Sequence, residues 1–342
     1  MIDQICLVRR SGILSALLAG AVTLWAIDDK PLAQTAEPVP LQLEAKIPLG
    51  DVRGRIDHMA IDIERQRLFV AELGNNSVGV VDLESRKLIR TIAGLKEPQG
   101  VAYVAFNDTL YVANAGDGSV RLFAGPDYKT KGQIDLGDDA DNIRVDTATN
   151  RIIAGYGSGG LAVIEAANNN KIGDIPLSAH PESFQLDPDK NRIYVNLPEA
   201  KAVAVVDSRS AKQVKIWPME AGGNFAMALD RDADYVLIAF RSPAKLGVFS
   251  ERDGALIANP ETSGDADDLF VDAKRHRAYV SCGDGFVDVF DTQGASYKRI
   301  AHIPTVPGAR TSLFVPELDQ LLLAVRAGSR EPAAIWVFHP TP

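Results

Sequence analysis

Cysteine is nearly missing from this chain: Cys6 and Cys282 are the only two in 342 residues. They cannot build a disulfide framework, and neither sits in a CxxC metal motif or a CxxCH haem attachment. An HExxH zinc helix and a dinucleotide-binding glycine fingerprint are also absent, which removes two common enzyme classes. Basic residues are in deficit, 36 Lys+Arg against 45 Asp+Glu, for a net charge of −9. That balance disfavours non-specific nucleic-acid binding, because neutralising phosphates needs clustered cations. Long apolar runs are missing too. The longest, 13–27, holds 15 residues where a bilayer-spanning helix needs roughly 20. What remains, 46% hydrophobic and 24% charged residues, is an ordinary globular composition that excludes disorder, collagen and coiled coil. At roughly 100–200 residues per domain, the length fits two domains or one large repetitive one.

The apolar run at 13–27 follows Arg9 and Arg10 and precedes small residues, the layout of a cleavable export signal. We read residues 1–36 as a signal peptide, with cleavage between Ala21 and Ala36, and residues 37–342 as the folded protein. Cys6 lies before the run, where a lipoprotein signal places its cysteine after it. RRSGIL matches a twin-arginine signal poorly, and the alternative to cleavage is an uncleaved amino-terminal anchor. The expectation is a periplasmic or secreted protein with no transmembrane span in its mature chain.

From residue 41 onward the chain repeats itself, and such a period decides the fold ahead of any local reading. The clearest copy is Asp187-Pro-Asp-Lys-Asn-Arg192-Ile-Tyr194-Val195, followed by Val203-Ala-Val205-Val206-Asp207. Aligning the other copies places anchors at Asp62, Val104, Asp146, Asp187, Asp230, Asp272 and Pro316, 41 to 44 residues apart. Each anchor is followed by an apolar triplet, from LFV at 68–70 to LLA at 322–324. An apolar-x-apolar-apolar run comes next, from VGVV at 78–81 to IWVF at 335–338. The runs are short and rich in β-branched and aromatic residues, and no 3.6-residue period is sustained. Asn75-Asn76, Asp117-Gly118, Gly159-Gly160 and Asp284-Gly285 fall where tight hairpins want residues tolerant of positive φ. Four strands in about 42 residues make a propeller blade. The pattern predicts an all-β, seven-bladed β-propeller with four antiparallel strands per blade. The seventh copy ends after its third strand, so the period-two segment 41–49 should supply the fourth and close the ring.

Asp187-x4-Arg192-Ile-Tyr-Val-Asn196, with Leu110-Tyr-Val-Ala-Asn114 and Ala278-Tyr-Val-Ser281, resembles the YVTN-type β-propeller repeat across about residues 41–342. The resemblance implies a seven-bladed disc and an exported prokaryotic protein. It implies no single activity, since one fold hosts many functions. Blades five and seven depart from the pattern, with Tyr235 and Leu321 in place of Arg, and blade seven also lacks the Asp. The Asp/Arg pairs 62/67, 146/151, 187/192 and 272/277 read as structural bridges across each first hairpin.

In a propeller, the residues leading into each innermost strand ring one mouth of the central channel, together with the turns between second and third strands. Such a concave mouth is the default ligand site. Five residues before each anchor stand Asp57, Gln99, Asp141, Glu182, Phe225, Asp267 and Thr311. The next position holds His58, Gly100, Asn142, Ser183, Ala226, Asp268 and Ser312; just upstream lie Arg55, Asp139, His180, Asp265 and Arg310. Acids crowded round a channel raise one another's pKa unless a cation compensates. A ligand-binding mouth is therefore expected from Asp57, His58, Asp141, His180, Glu182, Asp267, Asp268 and Arg310.

The leading reading is an exported monomer that binds a small molecule or protein partner at this mouth; a cationic or polyhydroxylated ligand suits the acids. The second is Ca2+ or another divalent cation held by Asp57, Asp141, Glu182 and Asp267, serving a lactonase, hydrolase or lyase with His58 or His180 as base. The third is a protein-docking scaffold that uses the rim of the disc, which an exposed apolar patch would favour. A neutralised rim without a ligand is the plainest alternative. Gly155-Tyr-Gly-Ser-Gly-Gly160 is no nucleophile elbow, because Tyr156 takes the first glycine's place. The loops 137–142 and 264–268 miss the calcium-loop spacing. His276 is expected at a hairpin tip and Cys282 in the core.

Overall fold

Neighbouring side chains of a strand point to opposite faces, and the second strand of every unit fills both. In blade one, Leu68 and Val70 pack toward blade seven while Phe69 and Ala71 pack toward blade two. Blade four repeats this with Ile193 and Val195 on one side and Tyr194 on the other. In blade six, Ala278 and Val280 oppose Tyr279. A sheet apolar on both faces needs a neighbour on each, and the ring supplies both.

The computed structural model describes residues 39–329 and 331–342; the signal read at 1–36, and Cys6 with it, lie outside the described residues. Among the described residues, 28 strands form seven separate four-stranded antiparallel sheets. Helix among these residues is limited to the single turns Leu73–Asn75 and Ala105–Asn107. The protein is a seven-bladed β-propeller. Six sheets are consecutive runs of four strands. The seventh is ordered Leu41–Pro48, Ala334–Pro340, Gln320–Val325, Thr311–Val315, so the first strand of the disc is the outermost strand of its last blade.

Buried apolar residues gather into seven clusters, one at each blade interface, the seventh-to-first included. Large rings anchor several of them. Tyr194 lies 5.4 Å from Trp217 and Tyr279 lies 5.3 Å from Phe314, ring centre to ring centre. Hairpins close where the chain tolerates left-handed backbone, as at Asn76 (φ 54°) and Gly118 (φ 63°).

Two expectations need correcting. Asp62, Val104, Asp146, Asp187, Asp230 and Asp272 each pair with the residue five further on, and the matching pair in blade seven is Val315 with Gln320. The anchor there is Val315, not Pro316, and the apolar triplet is 321–323. Leu321 and Leu323 accordingly pack toward blade six and Leu322 toward blade one. Blade seven lacks the Asp and Arg that mark the register in blades one, three, four and six, and three successive leucines read equally well in either frame.

The Asp/Arg pairs, in turn, are cross-strand neighbours without being ion pairs. Asp62, Asp187 and Asp272 turn into their hairpins and accept from the backbone N–H of Arg65, Lys190 and Arg275. A carboxylate that caps a turn in this way is already committed. The arginines reach the other way, Arg67 to Asp82 and Arg192 to Asp207 at 2.6 Å.

Ring closure makes a direct prediction. Deleting residues 41–49 removes the outer strand of blade seven together with Ile47 and Leu49, which pack into the seventh-to-first interface. The single cooperative urea transition, followed by circular dichroism, should disappear. Ile47→Ala, at a site 1% exposed, should cost about 2–4 kcal/mol in the same measurement. A deletion variant that unfolds at the wild-type midpoint would contradict this closure.

Candidate functional site

Packing of the blades sets the seven innermost strands side by side round the axis, all starting at one face. With the register of blade seven corrected, the equivalent positions are Asp57, Gln99, Asp141, Glu182, Phe225, Asp267 and Arg310. All seven line one cup of about 500 Å³. Arg310 therefore takes the place expected for Thr311, which is buried and donates from Oγ1 to the Ile56 carbonyl at 3.3 Å.

A local device aims four of these side chains. The pairing of first and second strands slips at Gln99, Asp141, Phe225 and Asp267, the positions of β-bulges. A bulge adds one unpaired residue, bends the strand and re-aims its side chain. Gly100 fits the same crowded turn: a Cβ there would lie 2.0 Å from the Asp141 carbonyl oxygen of the next blade.

Of the residues read from the sequence, Asp57, His58, Asp141, His180, Glu182, Asp267 and Arg310 meet in the cup, joined by Arg55 and Asp139. Asp268 does not. It faces the channel below, with Oδ1 3.7 Å from His58 Nδ1 and Oδ2 accepting from the Ser312 N–H at 2.7 Å. The sequence reading missed Asp138, Ser158, Glu199 and Arg241. Ser158, Glu199 and Arg241 sit at the turns between second and third strands, which the same geometry directs to this mouth.

Acids outnumber bases in the cup, seven carboxyl groups against three guanidinium groups and two imidazoles. Asp267 is neutralised: Arg241 bonds Oδ1 and Arg310 Nε lies 3.2 Å from Oδ2. Burial opposes its charge, but the two guanidinium groups more than offset this and hold its pKa below the ordinary value. Arg241 is fixed in turn by Phe225, whose ring centre lies 3.4 Å from the guanidinium carbon.

Asp57 is in a different position. It is 1% exposed, and Arg55 Nη2 stands 2.6 Å from Oδ2 with His58 Nε2 3.6 Å from Oδ1. Neither approach is aligned as a hydrogen bond, so both carboxylate oxygens lack a donor. Burial pushes its pKa up despite His58 and Arg55.

Glu182 is pushed up to about 7, by burial first and then by Asp141. His180 is pushed up to about 9, chiefly by Asp141, 3.8 Å from Nε2, with the Gly157 carbonyl accepting from Nδ1 at 2.6 Å. His58 is held above its ordinary value because Asp57 and Asp268 outweigh the effect of its burial.

The expected cation set is not assembled. Among the described residues, no group of three or more His, Cys, Asp and Glu is arranged to hold a metal ion. Asp57, Asp141, Glu182 and Asp267 share the cup, but three of them face positive side chains instead: Arg55, His180, and Arg241 with Arg310. A serine, a histidine and an aspartate also meet in blade six without forming a triad. Ser263 Oγ at 3.4 Å and Asp288 Oδ1 at 2.6 Å both address His302 Nδ1, whereas a triad needs them on opposite ring nitrogens. Cys282 is buried, its thiol pushed up to about 12 by that burial, and His276 is exposed at its hairpin tip. Exposed large apolar residues such as Ile89, Ile172, Ile216, Leu256 and Ile300 are spread over the outer strands of five blades. No helix among the described residues is long and apolar enough to cross a membrane.

Solved structures place the chain in its fold class. Hydrazine synthase from Kuenenia stuttgartiensis is similar with a TM-score of 0.69 at 16% identity, over 85% of this chain and 96% of that one. A chain of a mitotic checkpoint complex is similar with a TM-score of 0.71 at 14% identity, over 92% of this chain and 100% of that one. At such identities the likeness shows the propeller fold alone. No protein-family model matches the chain, and no curated protein matches it.

The pKa of Glu182 carries a stability consequence. Its folded value of about 7 exceeds the ordinary 4.5, so the native state holds this proton more tightly than the unfolded chain. Its contribution to stability is present below the ordinary value and is lost as pH rises through about 7. Glu182→Gln never ionises. It should gain on wild type between about pH 5 and 8, by roughly 1–3 kcal/mol in urea unfolding. A difference independent of pH would contradict the enclosed carboxyl.

Proposed function

We propose that this propeller is a binding protein whose acidic cup takes a small cationic ligand rich in N–H or O–H donors, such as an amine or an amino sugar. Asp57 carries the reading: an enclosed carboxyl group at the cup that has Arg55 and His58 beside it, yet receives no aligned hydrogen bond at either oxygen among the described residues. A buried carboxylate left in that state is costly, and a ligand ammonium or hydroxyl supplies what it lacks. Asp139, Asp141 and Glu182 add negative potential around it, whereas Asp267 is already spoken for by Arg241 and Arg310. The volume, about 500 Å³, suits a small molecule.

We further propose that the protein is exported and belongs with the YVTN-type propellers. The supports are the amino-terminal segment 1–36 and the repeat seen most clearly at 187–196. The divalent-cation enzyme has no assembled ligand set behind it.

Thermal-shift screening at low salt against primary amines, amino sugars and uncharged sugars tests the binding reading. An amine or amino sugar should raise the melting temperature, and Asp57→Asn should weaken it roughly tenfold or more in calorimetry. Affinity should fall as pH drops from about 8 to 6, because Glu182 then takes up a proton and the cup loses a negative charge. If no amine binds, or if Asp57→Asn binds as well as wild type, the reading fails.

A further inference from the structure

Below His58 the channel changes character. A second chamber, of about 450 Å³, is walled by the innermost strands from Met59 and Ile61 in blade one to Leu313 in blade seven. Aliphatic side chains predominate among its lining residues, while the cup above is lined mainly by polar ones. His58 borders both.

Arg144 of blade three lines this chamber. Its Nη1 donates to Asn142 Oδ1 at 3.2 Å and to the Ile143 carbonyl at 2.9 Å, and among the described residues its Nε and Nη2 have no acceptor. The other arginines of the channel all have carboxylate partners: Arg55 with Asp57 at 2.6 Å, Arg231 with Asp187 at 2.9 Å, and Arg241 and Arg310 with Asp267. Among the described residues, Arg144 alone of these has none. Asp268 is the one acid lining the chamber, and it is engaged by the Ser312 N–H and faces His58. Burial pushes the guanidinium pKa down, with Asp268 and Asp141 opposing.

An enclosed guanidinium without a counter-ion is costly, and a carboxylate matches its fork with two parallel hydrogen bonds. We propose that this lower chamber is a second binding site, for a small organic carboxylate: the carboxylate seats on Arg144 and an apolar body lies against Ile61, Leu229, Phe270 and Leu313. Its charge preference is opposite to that of the cup. The apolar part of the wall favours an anion with a hydrocarbon part over an inorganic one, which gains nothing from those side chains.

Titration calorimetry of the whole protein with octanoate, 1-octanol and sulfate tests this assignment. Octanoate should bind, and octanol and sulfate should each bind roughly tenfold more weakly or not at all. Arg144→Met should lose octanoate by a similar factor. Leu313→Trp fills the chamber from blade seven and keeps the guanidinium; it should lose octanoate as well, and it decides the matter if Arg144→Met does not fold. Absence of octanoate binding at millimolar concentration overturns the site. So does octanoate binding unaffected by these variants, or sulfate binding as tight as octanoate.

Discussion

Each blade of this disc is apolar on both faces, and that single constraint fixes both the closure of the ring and the geometry of its channel. A sheet with two greasy faces is stable only between two others, so the units form a closed ring, whose last blade is built from the first and last strands of the disc. The strand Leu41–Pro48 joins the sheet of Gln320–Val325 and Ala334–Pro340 for this reason. The site inherits its precision from the same packing. Thr311 bonds the Ile56 carbonyl across 255 residues of chain, and seven side chains meet in one cup because seven interfaces hold seven strands in phase. The bulges at Gln99, Asp141, Phe225 and Asp267 complete the arrangement by turning one residue per strand into the mouth.

Within the channel, charge is sorted by depth. The upper cup gathers acids and satisfies some of them with arginines; the lower chamber is richer in aliphatic side chains and holds one guanidinium without a carboxylate partner among the described residues. His58 stands between, with Asp57 on one nitrogen and Asp268 on the other. An imidazole so placed is favoured in its charged form, which in turn allows two carboxyl groups to remain close in an enclosed space. The two proposed sites thus share one axis while presenting opposite electrostatics to a ligand.

The fold is legible in the sequence because it is written as a period, and a period survives the loss of any one signal. Six of the seven ring positions are legible for the same reason. Blade seven reads one residue out of frame because Val315 and Gln320 replace the Asp and Arg that mark the frame in four of the other blades, and the leucines around them read alike in either frame. What the sequence does not disclose are partners chosen in space. Spacing suggests that Arg67 and Arg192 bridge Asp62 and Asp187, yet they bond Asp82 and Asp207, since nothing in a linear repeat says which of two nearby acids a turn has already claimed. Arg144 gives no signal either: it sits inside a strand, two residues before its anchor Asp146, where alternation predicts only that it faces away from Ile143 and Val145, toward blade four.

Asp267 and Asp268 show why register alone stops short of chemistry. They are adjacent, identical in type, and both enclosed, so composition and spacing treat them alike. The bulge between Ala266 and Asp268 separates their fates. Asp267 is turned into the cup between Arg241 and Arg310 and is held below its ordinary pKa. Asp268 stays on the channel wall, where burial pushes it up to about 6 with His58 as the main opposing influence. The first is a fixed negative charge that orders two arginines. The second changes charge near neutrality beside the imidazole that divides the channel. A single inserted residue in one strand therefore decides which aspartate acts as scaffold and which can respond to what enters the channel.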